Sequence, residues 1–263
     1  MQLTYVPLLA EQRDLYRRPR DMKRFKAYLY LTIDFESLSA RRPTLAMNPM
    51  ARDHVAHFLD ALIALEAEQV GEAAMREADL ALKASPGAYQ VALVVCDDIG
   101  GGWTNRFACE YAERLAGPPP TRPTSYDWIV GTLWVSETPT PKLVREQVLT
   151  ALYRQAYVRE HGQAETLGDL LWQEGRVMAR SGCTKPTLDP DDLEYTRAVL
   201  EPLLVESDMR TAIQALFGDE AGATLGFPPL GLTNHAGLAL ALHDARADDE
   251  RRAIEAVSHS SFP

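Results

Sequence analysis

Two adjacent carboxylates, Asp97 and Asp98, close an apolar run. Gly100, Gly101 and Gly102 follow, then Trp103, Asn105 and Arg106. A further acid, Glu137, stands just beyond a second apolar run at 128–135. Carboxylates that share one pocket can shift one another and so supply an acid and a base from like residues. Asp97, Asp98 and Glu137 are therefore read as catalytic acid/base groups. The same three acids also make an oxygen-rich set for Mg²⁺ or Mn²⁺, which prefer carboxylate and water ligands. Without a metal, the acids suit a cationic or hydroxylated small molecule, with Asn105 and Arg106 supplying directional hydrogen bonds. Gly101 and Asn48 would then line the substrate site, and Trp103 and Trp134 would wall it. The competing structural reading has one aspartate capping the turn, Glu137 in water and the tryptophans in the core.

The glycine run permits positive φ and close approach of a ligand to the backbone. A helix starting near Thr104 would add free N–H groups that favour an anion. The stretch is nevertheless neither GxGxxG nor GxxxxGK[ST], and no lysine stands in it. Two carboxylates directly before it repel phosphate, which argues against a nucleotide loop unless a cation intervenes.

Histidines and cysteines add less. His54 and His57, three apart in "RDHVAHF", share one helix face beside an apolar stripe. They read as interfacial core residues, although they follow closely on "MNPM". His235, in "LTNHAG", begins a helix, where the helix N-terminus favours a neutral imidazole. It is a candidate general base reaching in from the C-terminal portion. No G-x-S-x-G elbow occurs. Cys96 follows a buried run and precedes two acids, a poor setting for a thiolate. Cys183, near Arg180 and Lys185, has the most thiolate-friendly surroundings of the three cysteines.

The elements that must position these groups are legible from periodicity. "AYQVALVVC" is nearly all apolar, as in a parallel strand covered on both faces. "WIVGTLWV" is a second strand. The chain between them holds a helix over about 104–115 and the proline-rich "GPPPTRPT", enough for a strand–helix–strand crossover. A third strand is expected at 44–47, ending at Asn48. In open parallel sheets ligands bind beyond the C-terminal strand ends, so Asn48, Asp97, Asp98 and Glu137 should converge at one edge. Met22, Phe25, Leu29 and Ile33 mark a helix over 20–33. Val55, Phe58, Leu59, Leu62 and Leu65 mark another within 52–84, with a break expected at Gly71. "SETPTPKLVREQVLTALYRQAYVRE" is a helix capped by Thr138 or Thr140. Beyond Gly162 the pattern is helical, with a start signal at Asp189-Pro190. A further helix runs from "TNHAG" to about Ala245.

The fold class expected is thus α/β and helix-rich. A small, mostly parallel central sheet covered by helices (residues 1–162) is followed by a helical portion (163–263), a subdomain or cap.

A chain of 263 residues with 46% apolar and 24% charged residues is ordinary for a globular protein. No run approaches the ~20 apolar residues needed to span a bilayer, and the start of the chain does not read as a secretory signal. Three cysteines without metal-ligand spacing fit a reducing compartment. A cytoplasmic location is expected. The dominance of arginine over lysine and the abundant alanine read as high-GC bacterial coding bias. The net charge of −10 argues against general affinity for nucleic acid. Residues 1–42 run the other way, with nine basic against five acidic side chains. That basic segment reads as a face docked on the acidic body.

These features point to a cytoplasmic enzyme acting on a small polar metabolite, by acid/base or metal-assisted hydrolysis or group transfer. The alternative is a non-catalytic small-ligand-binding or assembly module that uses its helical half and basic N-terminal segment. No nucleic-acid or membrane partner is expected, and a homo-oligomer is compatible with the sequence.

Overall fold

The computed structural model describes residues 1–36, 39–44, 46–99, 104–115 and 128–260. Its sheet has three parallel strands in the order β1 (Gln2–Tyr5), β4 (Ala88–Cys96), β5 (Trp128–Trp134). A two-stranded antiparallel pair, β2 (Ile33–Asp34) and β3 (Ser39–Ala40), stands apart from it. Helices α1 (Leu9–Tyr16), α2 (Met22–Thr32), α3 (Asp53–Ala64) and α4 (Ala67–Leu82) lie between β1 and β4. Helix α5 (Arg106–Leu115) lies between β4 and β5, and α6 (Pro141–His161) follows β5. The C-terminal part adds α7 (Leu167–Arg180), α8 (Pro190–Leu200), α9 (Met209–Phe217), α10 (Asp219–Ala223) and α11 (Ala236–Ser260). The α/β, helix-rich reading therefore holds. Among the described residues no helix is long and apolar enough to cross a membrane.

The chain divides into two compact units. The first comprises 1–109 and 117–159, the second 110–116 and 160–263, so the division falls within α5 and near the end of α6.

In the first unit, the unbroken apolar character of β4 reflects burial on both faces. Ala92, Val94 and Cys96 pack with Leu8 and Trp134, with Ala46 and Cys109 against them. On the alternate face Val91, Leu93 and Val95 are at most 1% exposed. Each such side chain contributes about 1.5–3 kcal/mol on burial. The edge partner β1 is only four residues long and pairs with β4 no further than Val91. Two further groups on this edge of β4 are met by one side chain of α1. The Gln12 Nε2 donates to the Leu93 carbonyl at 3.1 Å, and the Val95 N–H donates to Gln12 Oε1 at 2.9 Å. A fully buried glutamine thus stands in for the missing strand, because buried backbone groups must find partners.

Three local expectations are corrected. The described residues of 44–47 form a turn, not a strand; the third strand comes instead from Gln2–Tyr5, whose shortness hides its periodicity. The helical stretch 52–84 breaks at Leu65–Glu66, where Glu66 takes a left-handed φ of 54°. Gly71 lies inside α4 and admits the Tyr5 ring; a Cβ there would come within 2.5 Å of the Tyr5 hydroxyl. That hydroxyl donates to Glu68 Oε2 at 2.6 Å, and the Leu9 N–H donates to Glu68 Oε1 at 2.7 Å. Last, α11 continues to Ser260, well past Ala245.

In the second unit, α7 is opened by a Thr166–Asp169 capping box, α8 by Asp189 with Pro190 in its first turn, and α9 by Asp208. Helices α7 and α11 meet closely at Gly175, where a Cβ would collide with the Ala241 carbonyl. Arg114 is held between Glu110 and Glu174, at 3.2 and 3.0 Å, with its guanidinium 4.9 Å from the Phe217 ring centroid.

Candidate functional site

The C-terminal ends of β4 and β5 are in register, with Cys96 paired to Trp134. The residues just beyond them meet, and the two aspartates enter different surroundings. The Asp97 carboxylate is 1% exposed. Its Oδ1 lies 2.9 Å from His54 Nε2 and accepts the Ile99 N–H at 3.1 Å, while Oδ2 accepts Asn48 Nδ2 at 2.9 Å. His54 sits in the first turn of α3, and its side chain is 30% exposed.

Asn48 is held by the loop that carries it. Its Oδ1 accepts the Met50 N–H at 3.0 Å, and its carbonyl accepts the Tyr16 hydroxyl at 2.6 Å. Burial pushes the Tyr16 phenol above its usual range, and the nearby Asp97 charge adds to this, so the hydroxyl keeps the proton it donates. Two arginines of the basic segment brace the same loop. Arg20 Nε donates to the Met50 carbonyl at 2.7 Å, and Arg24 donates to the carbonyls of Ala51 and Arg18. Arg13 pairs with Asp60 and Arg42 with Glu11. These contacts of the basic segment are all made within the first unit, to backbone carbonyls as well as to acids.

Asp98 turns to β5. Its Oδ1 accepts the Ser136 N–H at 2.9 Å and its Oδ2 the Ser136 hydroxyl at 2.5 Å. Arg106 reaches Asp98 Oδ2 at 3.4 Å, Ser136 Oγ at 3.1 Å and Glu137 Oε1 at 2.8 Å, with its guanidinium 5.5 Å from the Trp134 ring centroid. The Glu137 Oε2 accepts the Trp134 N–H at 3.4 Å. Asp98, which precedes the glycine run in sequence, and Arg106, which follows it, thus pair with each other and with residues just beyond β5. Thr104 adds a tie, donating to the Ala46 carbonyl at 3.1 Å.

Of the sequence-predicted residues, Asn48 and Asp97 are thus brought into contact, and Asp98, Arg106 and Glu137 form a neighbouring cluster. Asn105 spends its side-chain oxygen on the Ala108 N–H at 3.0 Å, at the start of α5. Gly101 and Trp103 lie outside the described residues. Trp134 is core, 1% exposed, rather than a pocket wall. His235 belongs to the second unit, with a φ of 60° and its ring edge-on to Phe217. The cluster described above is built from first-unit residues alone. Cys183 is buried, which removes the exposure that a reactive thiolate needs.

The metal reading does not fit the donor set. The described residues contain no group of three or more His, Cys, Asp or Glu placed to hold a metal ion. The cause is visible in the hydrogen bonds. Asp97 is engaged by His54, Asn48 and a backbone N–H, while a guanidinium already bridges Asp98 and Glu137, where a cation would have to compete with it.

Sequence reasoning passed over His54 and Tyr16. The signal for His54 was its place just after "MNPM", at the expected strand-end edge. Its companion His57 is exposed rather than an interfacial core residue, while His54 is half-buried. Tyr16 carried no signal, because its role depends on where α1 crosses the Asn48 loop.

No family model, curated protein or solved structure matches this chain. The functional reading therefore rests on this geometry.

Proposed function

We propose that the first unit is an enzyme that transfers a proton to or from a small polar molecule, in a hydrolysis or group-transfer reaction at the ends of β4 and β5. The observation that carries this reading is the pairing of His54 Nε2 with the buried Asp97 carboxylate at 2.9 Å. With Asp97 ionised, Nε2–H donates to it and Nδ1 holds the lone pair, the arrangement of a histidine base oriented by a carboxylate. Asn48 and the Ile99 N–H fix the carboxylate, so Asp97 sets the ring orientation and stabilises the imidazolium formed when His54 takes a proton. His54 remains partly exposed and so within reach of a water or a substrate hydroxyl. The Asp98–Arg106–Glu137 cluster, with Ser136, braces the ends of β4 and β5 next to this pair.

Such general acid/base action contributes about 10²–10⁴-fold to a rate. The test is turnover by the purified full-length chain on a panel of chromogenic esters, phosphoesters and amides and a set of polar metabolites. H54A should lower kcat by about 10²–10⁴-fold while leaving the melting temperature nearly unchanged. D97N should lower kcat with a smaller change in KM, and H57A should behave as wild type. Full turnover by H54A, or a wild-type protein inert across the panel, overturns the reading.

A further inference from the structure

The second unit holds a cavity of about 390 Å³ that shares no residue with the site above. This volume falls in the range of pockets for small organic molecules, roughly 300–1,000 Å³. Its floor and walls are mainly apolar, built from Leu171, Leu200 and Leu240 with Trp172 and Leu204 at the mouth. Trp172 is 50% exposed and Leu204 39%, unusual for large apolar side chains gathered at one place. Arg176 lies over the Trp172 ring, 4.4 Å from its centroid, and is itself tied to Asp248 and Asp249. One indole face is thereby covered and the ring fixed at the cavity edge.

Three charged side chains line the cavity: Arg197, Asp244 and Glu201. Arg197 and Asp244 satisfy each other through two hydrogen bonds, at 2.8 and 2.7 Å. No such pairing involves Glu201 among the described residues. It follows directly on Leu200, the last residue of α8. Glu201 there begins the short 3-10 turn Glu201–Leu203 and is exposed, so its carboxylate is open to an incoming ligand. The unit as a whole carries 9 basic against 20 acidic side chains. An apolar cavity lined by one carboxylate without an arginine partner among the described residues complements a molecule with an apolar body and a single positive charge.

We infer that this cavity binds a small amphiphilic cation, an amine whose aliphatic or aromatic body packs against Leu171, Trp172, Leu200 and Leu240 and whose ammonium group sits at Glu201. The neutral alcohol loses the charge, and the matching carboxylate meets repulsion at Glu201. Specificity for the amine therefore separates this site from general hydrophobic binding.

The experiment is calorimetric titration of the full-length chain with 4-phenylbutylamine, and with 4-phenylbutanol and 4-phenylbutyrate as matched controls. The amine should bind saturably and raise the melting temperature, as any ligand of the folded state does. The alcohol should bind at least tenfold more weakly, and the carboxylate should give no heat. E201Q should weaken the amine at least tenfold and bring it level with the alcohol. L204W, at an exposed position at the mouth, should occlude the cavity and abolish binding of the amine and the alcohol. Equal affinity for amine and carboxylate, an amine affinity unchanged in both variants, or no saturable binding of the amine by wild type would each overturn the inference.

Discussion

The two units solve different problems with different charges. The first carries 18 basic against 17 acidic side chains, the second 9 against 20. In the first, polar side chains are drawn inside to attach loops and helices to a short sheet: Gln12 on β4, Glu68 under β1, and Asp97 beneath Asn48 and His54. In the second, a few acids cap helices and others pair with arginines, and the interior apart from the Arg114 cluster is chiefly helix packing. The difference teaches that buried polar groups follow unfinished secondary structure. A three-stranded sheet with a four-residue edge strand leaves ladder groups and strand ends unsatisfied, and side chains must be buried to meet them. Closed helices satisfy their own backbone except at the ends, so there Asp189 and Asp208 meet N-terminal backbone groups while other acids pair with arginines.

The strongest way to break this comparison is to remove the side chain that substitutes for a strand. Q12L leaves the Leu93 carbonyl and the Val95 N–H buried without partners, each costing about 1–3 kcal/mol. Destabilisation of about 2–4 kcal/mol is expected, read as a lower urea midpoint with faster amide exchange in β4 and β5. Unchanged protection in β4 would show that Gln12 does not complete the ladder.

A smaller effect is expected from the caps of the second unit. D208A removes the acceptor for the Thr211 N–H and should cost about 0.5–2 kcal/mol at neutral pH. The hydrogen bond from Thr211 holds the Asp208 carboxyl below its ordinary value. A carboxylate with a lowered folded-state pKa contributes stability that is present above the unfolded value and lost as pH falls through the folded one. The difference between wild type and D208A should therefore shrink on acidification through and below the usual carboxylate range. A difference constant down to pH 2 would rule out this cap as the source.

The smallest effect has the opposite sign. Burial raises the Glu68 carboxyl above its ordinary value, only partly offset by the hydrogen bonds from Tyr5 and Leu9. In the window between the ordinary and the raised value the folded state binds more protons than the unfolded one, so stability grows as pH falls through it. Relative to E68Q, the wild-type urea midpoint should rise as pH falls from 7 toward 4.5. A flat difference would place Glu68 in water rather than under Tyr5. Together the two variants set one raised carboxyl of the first unit against one lowered carboxyl of the second.

Much of this organisation is legible in the chain itself. The two long strands announce themselves by unbroken apolar runs, and α3, α4, α6 and α8 by periodicity and caps, because those signals are local. β1 is not legible, since four residues carry too little pattern to register as a strand. Asn48 does meet Asp97, but not through the strand-end rule, because the loop bearing Asn48 is no strand.

What residue type and spacing determined is that two aspartates stand at a strand end beside a glycine run, with an asparagine and an arginine within reach. What only the tertiary structure decided is how those neighbours divide. Alternate side chains leave a strand on opposite sides, so Asp97 enters the interior to meet His54 and Asn48 while Asp98 turns to Arg106 and Ser136. Partners 43 and 49 residues away in sequence from Asp97 leave no periodic mark on it. For that reason the acid–acid or metal pair suggested by adjacency becomes, in the fold, a histidine–carboxylate pair beside an ionic clamp.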